Sequence, residues 1–362
     1  MGKMTTAYIG LGSNVGNREE SIRAALRILA EAENIEVARI SELIETPPLG
    51  GANQPKYLNA VAEVKTTLSA EKLHKILFDI ESTLGRVREK KWSPRLIDLD
   101  LLILGGVIIN SPDLTVPHPQ MHLRSFVLQS LCELNGELLH PVIKESITEL
   151  AGRLGGADFV LDSNLPQLIS VAGIIGIGKT TLTKKLSNLL RCKLLLEPYD
   201  ANPFMPDVYA GKKELALDSQ LFFLTSRIMQ LNHNTLAAGQ IAISDYIFDK
   251  EPIYAKQTLT PEQLKTYEKI YQPSLSKVAK PVLVIYLQDS AQNCLVRIHK
   301  RNRPYEQQIQ MQFLEALRCD YEKLLTNWKI CPVIRIQISK SDYTNDANVE
   351  HLANQIKSYL AV

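Results

Sequence analysis

The chain is poor in the residues that would commit it to a special medium or partner. It has five cysteines in 362 residues, Cys132, Cys192, Cys294, Cys319 and Cys331. Their spacing matches neither a disulfide framework nor a metal knuckle. That excludes a stapled secreted scaffold and fits a reducing cytoplasm. Neither sign of charge dominates: 41 Lys and Arg face 39 Asp and Glu, a net charge of +2. Composition therefore makes no case for nucleic acid or a membrane surface. No apolar run reaches membrane-spanning length, and no secretory leader is apparent. With 45% hydrophobic and 22% charged residues, the remainder is ordinary for a soluble protein, long enough for two separate cores. The expectation is a cytoplasmic protein acting on small molecules.

What is present is concentrated in a few stretches. The first is Gly173, four residues, then Gly178-Lys179-Thr180-Thr181. This is the spacing of a P-loop. Residues 168–172 read as a buried strand, and 181–191 as a helix with Leu182, Leu186, Leu189 and Leu190 on one face. Glycines at 173, 176 and 178 let backbone N–H groups turn inward around a phosphate. Lys179 can reach the outer phosphates, and Thr180 can ligate Mg²⁺. The bland alternative, a glycine loop without nucleotide, is disfavoured by the flanking strand and helix. The motif begins near mid-chain, so the residues before about 165 need a fold and a function of their own.

That first half reads as α+β. Strands are expected at 5–11, 37–43 and 58–66, the last with Leu58, Ala60, Ala62 and Val64 on one face. One helix carries Ile22, Ala25, Leu26 and Leu29. Another, capped by Ser69, carries Leu73, Ile76, Leu77, Ile80 and Leu84. Residues 96–104, Gly105-Gly106 and 107–109 read as a hairpin. The densest chemistry lies between Arg86 and Asp100. The two-residue strand period puts Asp98 and Asp100 on one face, with Leu99 and Leu101 on the other. Paired carboxylates repel unless a cation sits between them, and hard oxygen donors suit Mg²⁺ with a nucleotide phosphate. Arg86, Arg88, Lys91 and Arg95 supply positive charge nearby. The alternative is a solvated strand face with surface basic residues.

Several stretches, in order, make this half similar to the 6-hydroxymethyl-7,8-dihydropterin pyrophosphokinases. They are Tyr8 to Asn14, Thr46-Pro47-Pro48-Leu49-Gly50, Gln54 to Asn59, Gly85 to Arg88, Pro94 to Asp100, and Val116-Pro117-His118. The resemblance covers residues 5–160 and implies a ferredoxin-like domain over 1–160. It implies that Asp98 and Asp100 hold two Mg²⁺ ions bridging ATP, and that Arg86 and Arg95 assist pyrophosphoryl transfer. By the same resemblance Glu81, Arg88, Trp92 and His118 bind ATP, the loop with Arg88 and Trp92 closing over the site. Thr46, Pro47, Leu49, Tyr57, Asn59 and Phe126 line the pterin pocket. Two departures stand out: Ser93 replaces a customary glycine or alanine, and the loop from Arg88 to Trp92 is a residue shorter than usual. His74 and His140 read as structural.

Residues 161–166 read as a linker. Beyond it, strands at 168–172, 193–196, 241–244, 282–287 and 333–338 alternate with helices, which means a parallel α/β sheet over 167–362. Glu197 and Asp245 follow their strands and so stand at the carboxyl ends, the ligand side of such a sheet. A long helix over 219–237 is expected, with Leu221, Leu224, Ile228 and Leu231 inward and Gln220 and Arg227 sharing another face. Thr260-Pro261-Glu262-Gln263 is a capping box. Arg297 and Arg301, four apart on a helix, with Arg303 before Pro304, can clamp a transferring phosphoryl group. The alternative is a basic helix face in solvent.

This half resembles the deoxynucleoside kinases, especially the bacterial deoxyadenosine and deoxyguanosine kinases. The P-loop, Leu196-Glu197-Pro198, Asn202-Pro203-Phe204, Asp218 to Leu224, Ser226-Arg227, Ile285 to Gln288 and the segment 297–307 carry the likeness. It implies that Glu197 is the general base for a 5′-hydroxyl, that Gln220 and Arg227 meet the nucleobase, and that Tyr209 and Glu306 hold the sugar. It further implies that Arg297, Arg301 and Arg303 form a lid over the ATP phosphates, that one Mg²⁺ binds at Thr180, and that the kinase helices form a homodimer. One departure is serious. Where the family often has an acid-Arg-Ser run, this chain has Asp245-Tyr246-Ile247. Asp245 keeps a nucleoside-site role, while the missing positive charge has to come from elsewhere, with Lys250 the candidate. The expected activity is twofold, on a reduced pterin and on a deoxynucleoside, purines favoured, with ATP and Mg²⁺ serving both. Two rivals are a second half that binds nucleotide without catalysis, and a P-loop kinase for another small molecule such as a monophosphate.

Overall fold

A computed structural model describes residues 4–48, 54–85, 95–340, 343 and 345–361. The expectations for Leu49, Arg86, Arg88 and Trp92, and for the side chain of Tyr209, fall outside the described residues. The chain divides into two compact units, Met1–Val160 and Leu161–Val362.

The first unit contains β1 (Thr5–Ser13), α1 (Arg18–Glu31), β2 (Ile35–Ile40), β3 (Ile44–Thr46), β4 (Tyr57–Thr66), α2 (Ala70–Thr83), β5 (Asp98–Leu104), β6 (Ile109–Asn110), β7 (Thr115–Val116), α3 (Ser125–Asn135) and α4 (Ile147–Leu154). Among the described residues β2, β4, β1 and β5 lie side by side in that order, all antiparallel, with β3 also on β4. The pleat divides β1. Ala7, Ile9 and Leu11 join Leu73, Leu77, Leu99 and Leu101 in the core that α1 and α2 fill. Tyr8 points to the other face, into a core with Val61, Leu102, Leu128, Leu131 and Leu150. Side-chain caps start the helices: Asn17 accepts from the Glu20 amide at 3.2 Å, and Ser69 from the Lys72 amide at 3.4 Å. This is an α+β unit.

The hairpin expected at 96–109 does not form. Gly105 does turn the chain, with φ +49°, but Ile109 and Asn110 pair with β7, not with β5. The reason is competition for an edge. The His118 amide donates to the Leu102 carbonyl at 2.9 Å, so the segment after Pro117 occupies the side of β5 that a hairpin partner would need.

The second unit contains β8 (Gln167–Ala172), α5 (Lys179–Leu190), β9 (Lys193–Leu195), α6 (Met205–Tyr209), α7 (Ala216–Leu231), β10 (Ile241–Ser244), α8 (Glu251–Thr258), α9 (Pro261–Ser274), β11 (Leu283–Gln288), α10 (Ala291–Arg301), α11 (Met311–Thr326), β12 (Val333–Gln337) and α12 (Asp346–Lys357). Its sheet runs β12-β11-β8-β10-β9, parallel throughout. All six residues of β8 are buried, as expected of a central strand covered on both faces. Register aligns the carboxyl ends: Ser244 pairs with Ser170 on one side and with Leu195 on the other. The P-loop, Asp245 and Glu197 therefore leave the sheet at one edge. This is an α/β P-loop unit. Residues 161–166 are tied to it: Gln167 Nε2 donates to the Asp162 and Leu165 carbonyls, and the Gly239 amide donates to Leu165.

α7 is shorter than the helix expected over 219–237. It stops at Leu231 because Asn232 turns extended and its side chain accepts from the amides of Asn234 and Thr235. Its buried side also differs. Gln220, Phe223 and Arg227 are buried with Leu224 and Leu231, while Leu221 and Ile228 are only partly covered.

Candidate active sites

In the first unit the site is built across three strands. Antiparallel register places Asn59 opposite Gly12, and Gly12 opposite Asp98; one pleat away, Val61, Gly10 and Asp100 form the next row. Residues directly opposite share a face, so Asn59, Asp98 and Asp100 all project to the side that α3 covers, away from the Leu99 and Leu101 core. Glycine keeps the middle of this face open. A Cβ on Gly12 would stand 3.0 Å from Asn59 Oδ1, tighter than van der Waals contact tolerates without movement. Asn59 Nδ2 donates to Thr46 Oγ1 at 2.9 Å, which fixes the amide at the β3–β4 end, where Thr46 pairs with Tyr57. Phe126, half-buried on α3, packs against the core of the same face.

Arg95 is held by Asn14, whose Oδ1 accepts the Arg95 amide at 2.7 Å and whose own amide donates to the Arg95 carbonyl at 3.1 Å. From there its guanidinium reaches Asp98 at 2.6 Å. Asp100 has Arg124 Nη1 at 3.6 Å and His118 Nε2 at 4.0 Å. The His118 Nδ1 accepts from the Gln120 amide at 3.3 Å, so a neutral ring carries its proton on Nε2, facing Asp100. Burial pushes His118 below its ordinary value, with Asp100 opposing. Glu81 is buried, and its Oε1 accepts the Leu99 amide at 2.7 Å. Glu81, Arg95, Asp98, Asp100 and His74 line one depression of about 120 Å³; His74, expected to be structural, belongs to its wall. Arg124 was missed. Nothing local marks it, since it follows a short helical turn and precedes α3 in an apolar context.

Magnesium fits this donor set. Among the described residues no group of three His, Cys, Asp or Glu gathers as a metal cage, but Mg²⁺ needs only one or two carboxylates when water and substrate phosphates complete its shell. Asp98 and Asp100 on one open face supply those.

In the second unit a cavity of about 570 Å³ opens at the carboxyl end of the sheet, lined by Gly176, Gly178, Lys179, Thr180 and Thr181 of the P-loop and by Glu197, Gln220, Arg227, Asp245, Lys250, Arg301, Arg303 and Glu306. The P-loop glycines at 173, 176 and 178 have φ of +141°, +81° and +101°, a region where only glycine rests without strain. At Gly176 a Cβ would also lie 2.6 Å from the Cys294 carbonyl. Lys179 Nζ folds back on the carbonyls of Gly173 and Ile174, at 2.8 and 2.9 Å. Burial first, then Lys250, push it down to about 8.

Asp245 joins the loop to the sheet. Its Oδ2 accepts from Thr180 Oγ1 at 2.6 Å, and its Oδ1 accepts the Glu197 amide at 2.9 Å. Thr180 and Asp245 thus place a hydroxyl and a carboxylate oxygen side by side, a donor pair that suits one Mg²⁺ held chiefly by phosphates. The Glu197 carboxylate meets two cations: Arg227, and Lys250 Nζ at 2.7 and 2.9 Å from its two oxygens. Burial alone would raise the Glu197 carboxyl, yet Arg227 and Lys250 hold it well below the usual range. The other side of Arg227 pairs with fully buried Glu251, which also accepts from the Tyr267 hydroxyl. Lys250, the candidate for the positive charge that Tyr246 lacks, stands on Glu197; the Tyr246 phenol donates to Gln230 at 2.8 Å. Glu251 was missed, because its partners stand 24 residues earlier on α7 and 16 later on α9.

Of the three expected lid arginines, two reach the cavity. Arg301 bonds Glu306 at 2.5 and 3.1 Å, and Arg303 lies 3.5 Å from both Glu306 and Asp200, over the Tyr199 ring. Arg297 is turned to Asp289 and is not among the cavity-lining residues.

The cation pair on Glu197 makes a prediction. Lys250→Met removes one of its charges, so the Glu197 carboxyl moves up by about 1 pH unit or more. For Glu197 in the base role that the resemblance implies, which needs the deprotonated carboxyl, the acid limb of kcat/KM for nucleoside phosphorylation shifts to higher pH. Lys179 loses a like-charged neighbour and also moves up, so the alkaline limb shifts the same way. Lys250→Arg keeps both limbs near their original positions. A pH–rate profile of the three proteins reads this directly; an unmoved acid limb in Lys250→Met would rule out the coupling.

The comparisons with known proteins divide at the same place as the fold. Residues 8–136 match the model of the 7,8-dihydro-6-hydroxymethylpterin-pyrophosphokinase family, and residues 169–361 that of deoxynucleoside kinase. A 2-amino-4-hydroxy-6-hydroxymethyldihydropteridine pyrophosphokinase of Haemophilus influenzae is 43% identical over 147 residues, 41% of this chain and 91% of that protein. A deoxyguanosine kinase of Bacillus subtilis is 33% identical over 205 residues, 54% of this chain and 99% of that protein. The chain belongs to both families. It is a pterin pyrophosphokinase fused to a deoxynucleoside kinase. A deoxyadenosine/deoxycytidine kinase of Bacillus subtilis is also similar to the kinase half, 30% identical over 202 residues, 54% of this chain and 93% of that protein. No helix among the described residues is long and apolar enough to cross a membrane.

Proposed function

We propose that the pyrophosphokinase half, residues 1–160, transfers pyrophosphate from ATP to the hydroxymethyl group of 6-hydroxymethyl-7,8-dihydropterin. The substrate oxygen attacks the β-phosphorus; the bond from that phosphorus to the α,β-bridging oxygen breaks, AMP leaves, and the hydroxyl proton passes to solvent. The reading is supported by the row Asn59–Gly12–Asp98, which sets a hydrogen-bonding amide and a metal-type carboxylate on one open face. Asn59, Thr46, Pro47, Leu49, Tyr57 and Phe126 hold the pterin. Asp98 and Asp100 would hold two Mg²⁺ ions, which would supply charge neutralisation at the triphosphate. Arg95 and Arg86 meet the charge that moves to the bridging oxygen. His118 and Glu81 border the ATP, and Arg88 and Trp92, outside the described residues, bind it as well.

The kinase half, residues 167–362, phosphorylates a deoxynucleoside at O5′. Glu197 takes the hydroxyl proton, O5′ bonds to the γ-phosphorus, the bond from that phosphorus to the β,γ-bridging oxygen breaks, and ADP leaves. The chain of contacts from Thr180 through Asp245 to the Glu197 backbone supports this, because it couples the phosphate loop to the base. Thr180, beside Asp245, would hold one Mg²⁺. Arg301 and Arg303 cover the phosphates, and Arg297 joins them by exchanging Asp289 for phosphate oxygens. Gln220 and Arg227 face the nucleobase, and Tyr209 and Glu306 the sugar. Deoxyadenosine and deoxyguanosine are the favoured substrates, and the kinase helices form a homodimer. The whole chain, given ATP and Mg²⁺, is expected to release AMP only with the pterin and ADP only with a deoxynucleoside. Incubation with each of four deoxynucleosides and with the pterin, followed by chromatographic separation of the nucleotides, tests both halves; ADP release with no deoxynucleoside would sink the second.

A further inference from the structure

We propose that Thr258 sets which purine the kinase half accepts, by fixing the direction of the Gln220 amide. The inference rests on the nucleoside-kinase reading above. Gln220 stands on α7 in the cavity wall, and its Nε2 donates to Thr258 Oγ1 at 3.2 Å. The single hydrogen of that hydroxyl is already used: it donates to the Tyr254 carbonyl, one turn earlier in α8, at 2.8 Å. Toward Gln220 the Thr258 oxygen can therefore only accept. An amide oxygen in that position would face a lone pair. The nitrogen takes the Thr258 side, and Oε1 takes the other.

The direction matters because of what an amide shows to a base. It presents one acceptor and one donor side by side. The Watson–Crick edge of adenine offers a donor at its 6-amino group and an acceptor at N1. Guanine reverses the order, with an acceptor at its 6-oxo group and a donor at N1. Cytosine follows adenine and thymine follows guanine. Turning one amide over thus converts a site for 6-amino purines into a site for 6-oxo purines. The apolar wall of the cavity, Met205, Val208, Phe223 and Phe313, grips any flat ring and cannot make this choice. Thr258 makes it, as a positioning residue acting through Gln220, because reversing the amide loses a hydrogen bond and sets two oxygens against each other.

The test uses the full chain and measures kcat/KM for deoxyadenosine and deoxyguanosine in the unaltered protein, Thr258→Val and Thr258→Ser. A correctly ordered donor–acceptor pair discriminates by roughly tenfold or more. The unaltered protein is expected to depart from unity by at least that. Thr258→Val, isosteric but without an acceptor, is expected to bring the ratio to within about threefold of unity, mainly by improving the poorer substrate. Thr258→Ser keeps the hydroxyl and keeps the ratio. A merely structural fault lowers both substrates together and leaves the ratio where it was. Thr258→Val with the original ratio, or an unaltered protein that does not discriminate, overturns the inference while leaving the kinase reading intact. An unaltered protein that phosphorylates neither purine overturns both.

Discussion

Replacing Glu197 by glutamine is expected to lower deoxynucleoside phosphorylation by about 10²–10⁴-fold, the usual worth of a positioned general base, while pterin pyrophosphorylation stays within twofold. The substitution keeps the shape of the side chain and an acceptor oxygen for Lys250 or Arg227, but it removes the charge between them. Arg227 retains Glu251, so the buried network keeps one full ion pair. Some stability is nonetheless lost, since uncompensating a buried charge costs up to about 3–5 kcal/mol. Activity and stability must therefore be read separately. ATP binding by the variant, followed with a fluorescent nucleotide, is expected to persist, because the P-loop contacts of Lys179 and Thr180 do not pass through the Glu197 carboxylate. Retained ATP binding with lost turnover identifies a base. Turnover within tenfold of the original would remove Glu197 from that role.

The same network shows what a sequence can and cannot disclose. The P-loop is legible because its cause is local: three glycines within six residues, a strand before and a helix after. Glu197 and Asp245 are legible because parallel topology fixes which strand end faces the ligand. The Lys250–Glu251 step is not. Lys250 ends a short turn and Glu251 opens α8; they meet partners just past β9, on α7 and on α9, and no periodicity connects such distant segments. α7 illustrates a different failure. Its leucines at 221, 224 and 231 and Ile228 suggest the inward face, yet Gln220 and Arg227 are more buried than Leu221 or Ile228, because a cavity takes the place of core on that side. At Gly105 the turn signal was sound and the pairing was not, since strand pairing is decided by a third segment arriving at the edge. Helical spacing put Arg297 beside Arg301 but could not see that Asp289, eight residues earlier, would hold it away from the cavity.

Asp98 and Asp100 are expected to separate function from stability in the pyrophosphokinase half. Asp98→Asn with Asp100→Asn should reduce pterin turnover by at least about 10³-fold, because on the function proposed above neutralising both carboxylates removes the groups that would hold Mg²⁺ against the triphosphate. Each single change should raise the magnesium concentration needed for half-maximal rate. Folding should respond in the opposite sense or not at all. The two carboxylates lie two residues apart on one strand face and repel in the absence of a cation. What offsets the repulsion is modest: Arg95 at 2.6 Å from Asp98 and Arg124 at 3.6 Å from Asp100, half-buried pairs each worth on the order of 1 kcal/mol. The double variant should therefore melt within a few degrees of the unaltered protein, and deoxynucleoside phosphorylation by the same molecule should be unchanged. That second activity is an internal control, since a fold-wide fault would depress both. Pterin turnover that survives the double substitution within tenfold would place the metal-bridging carboxylates elsewhere in the chain.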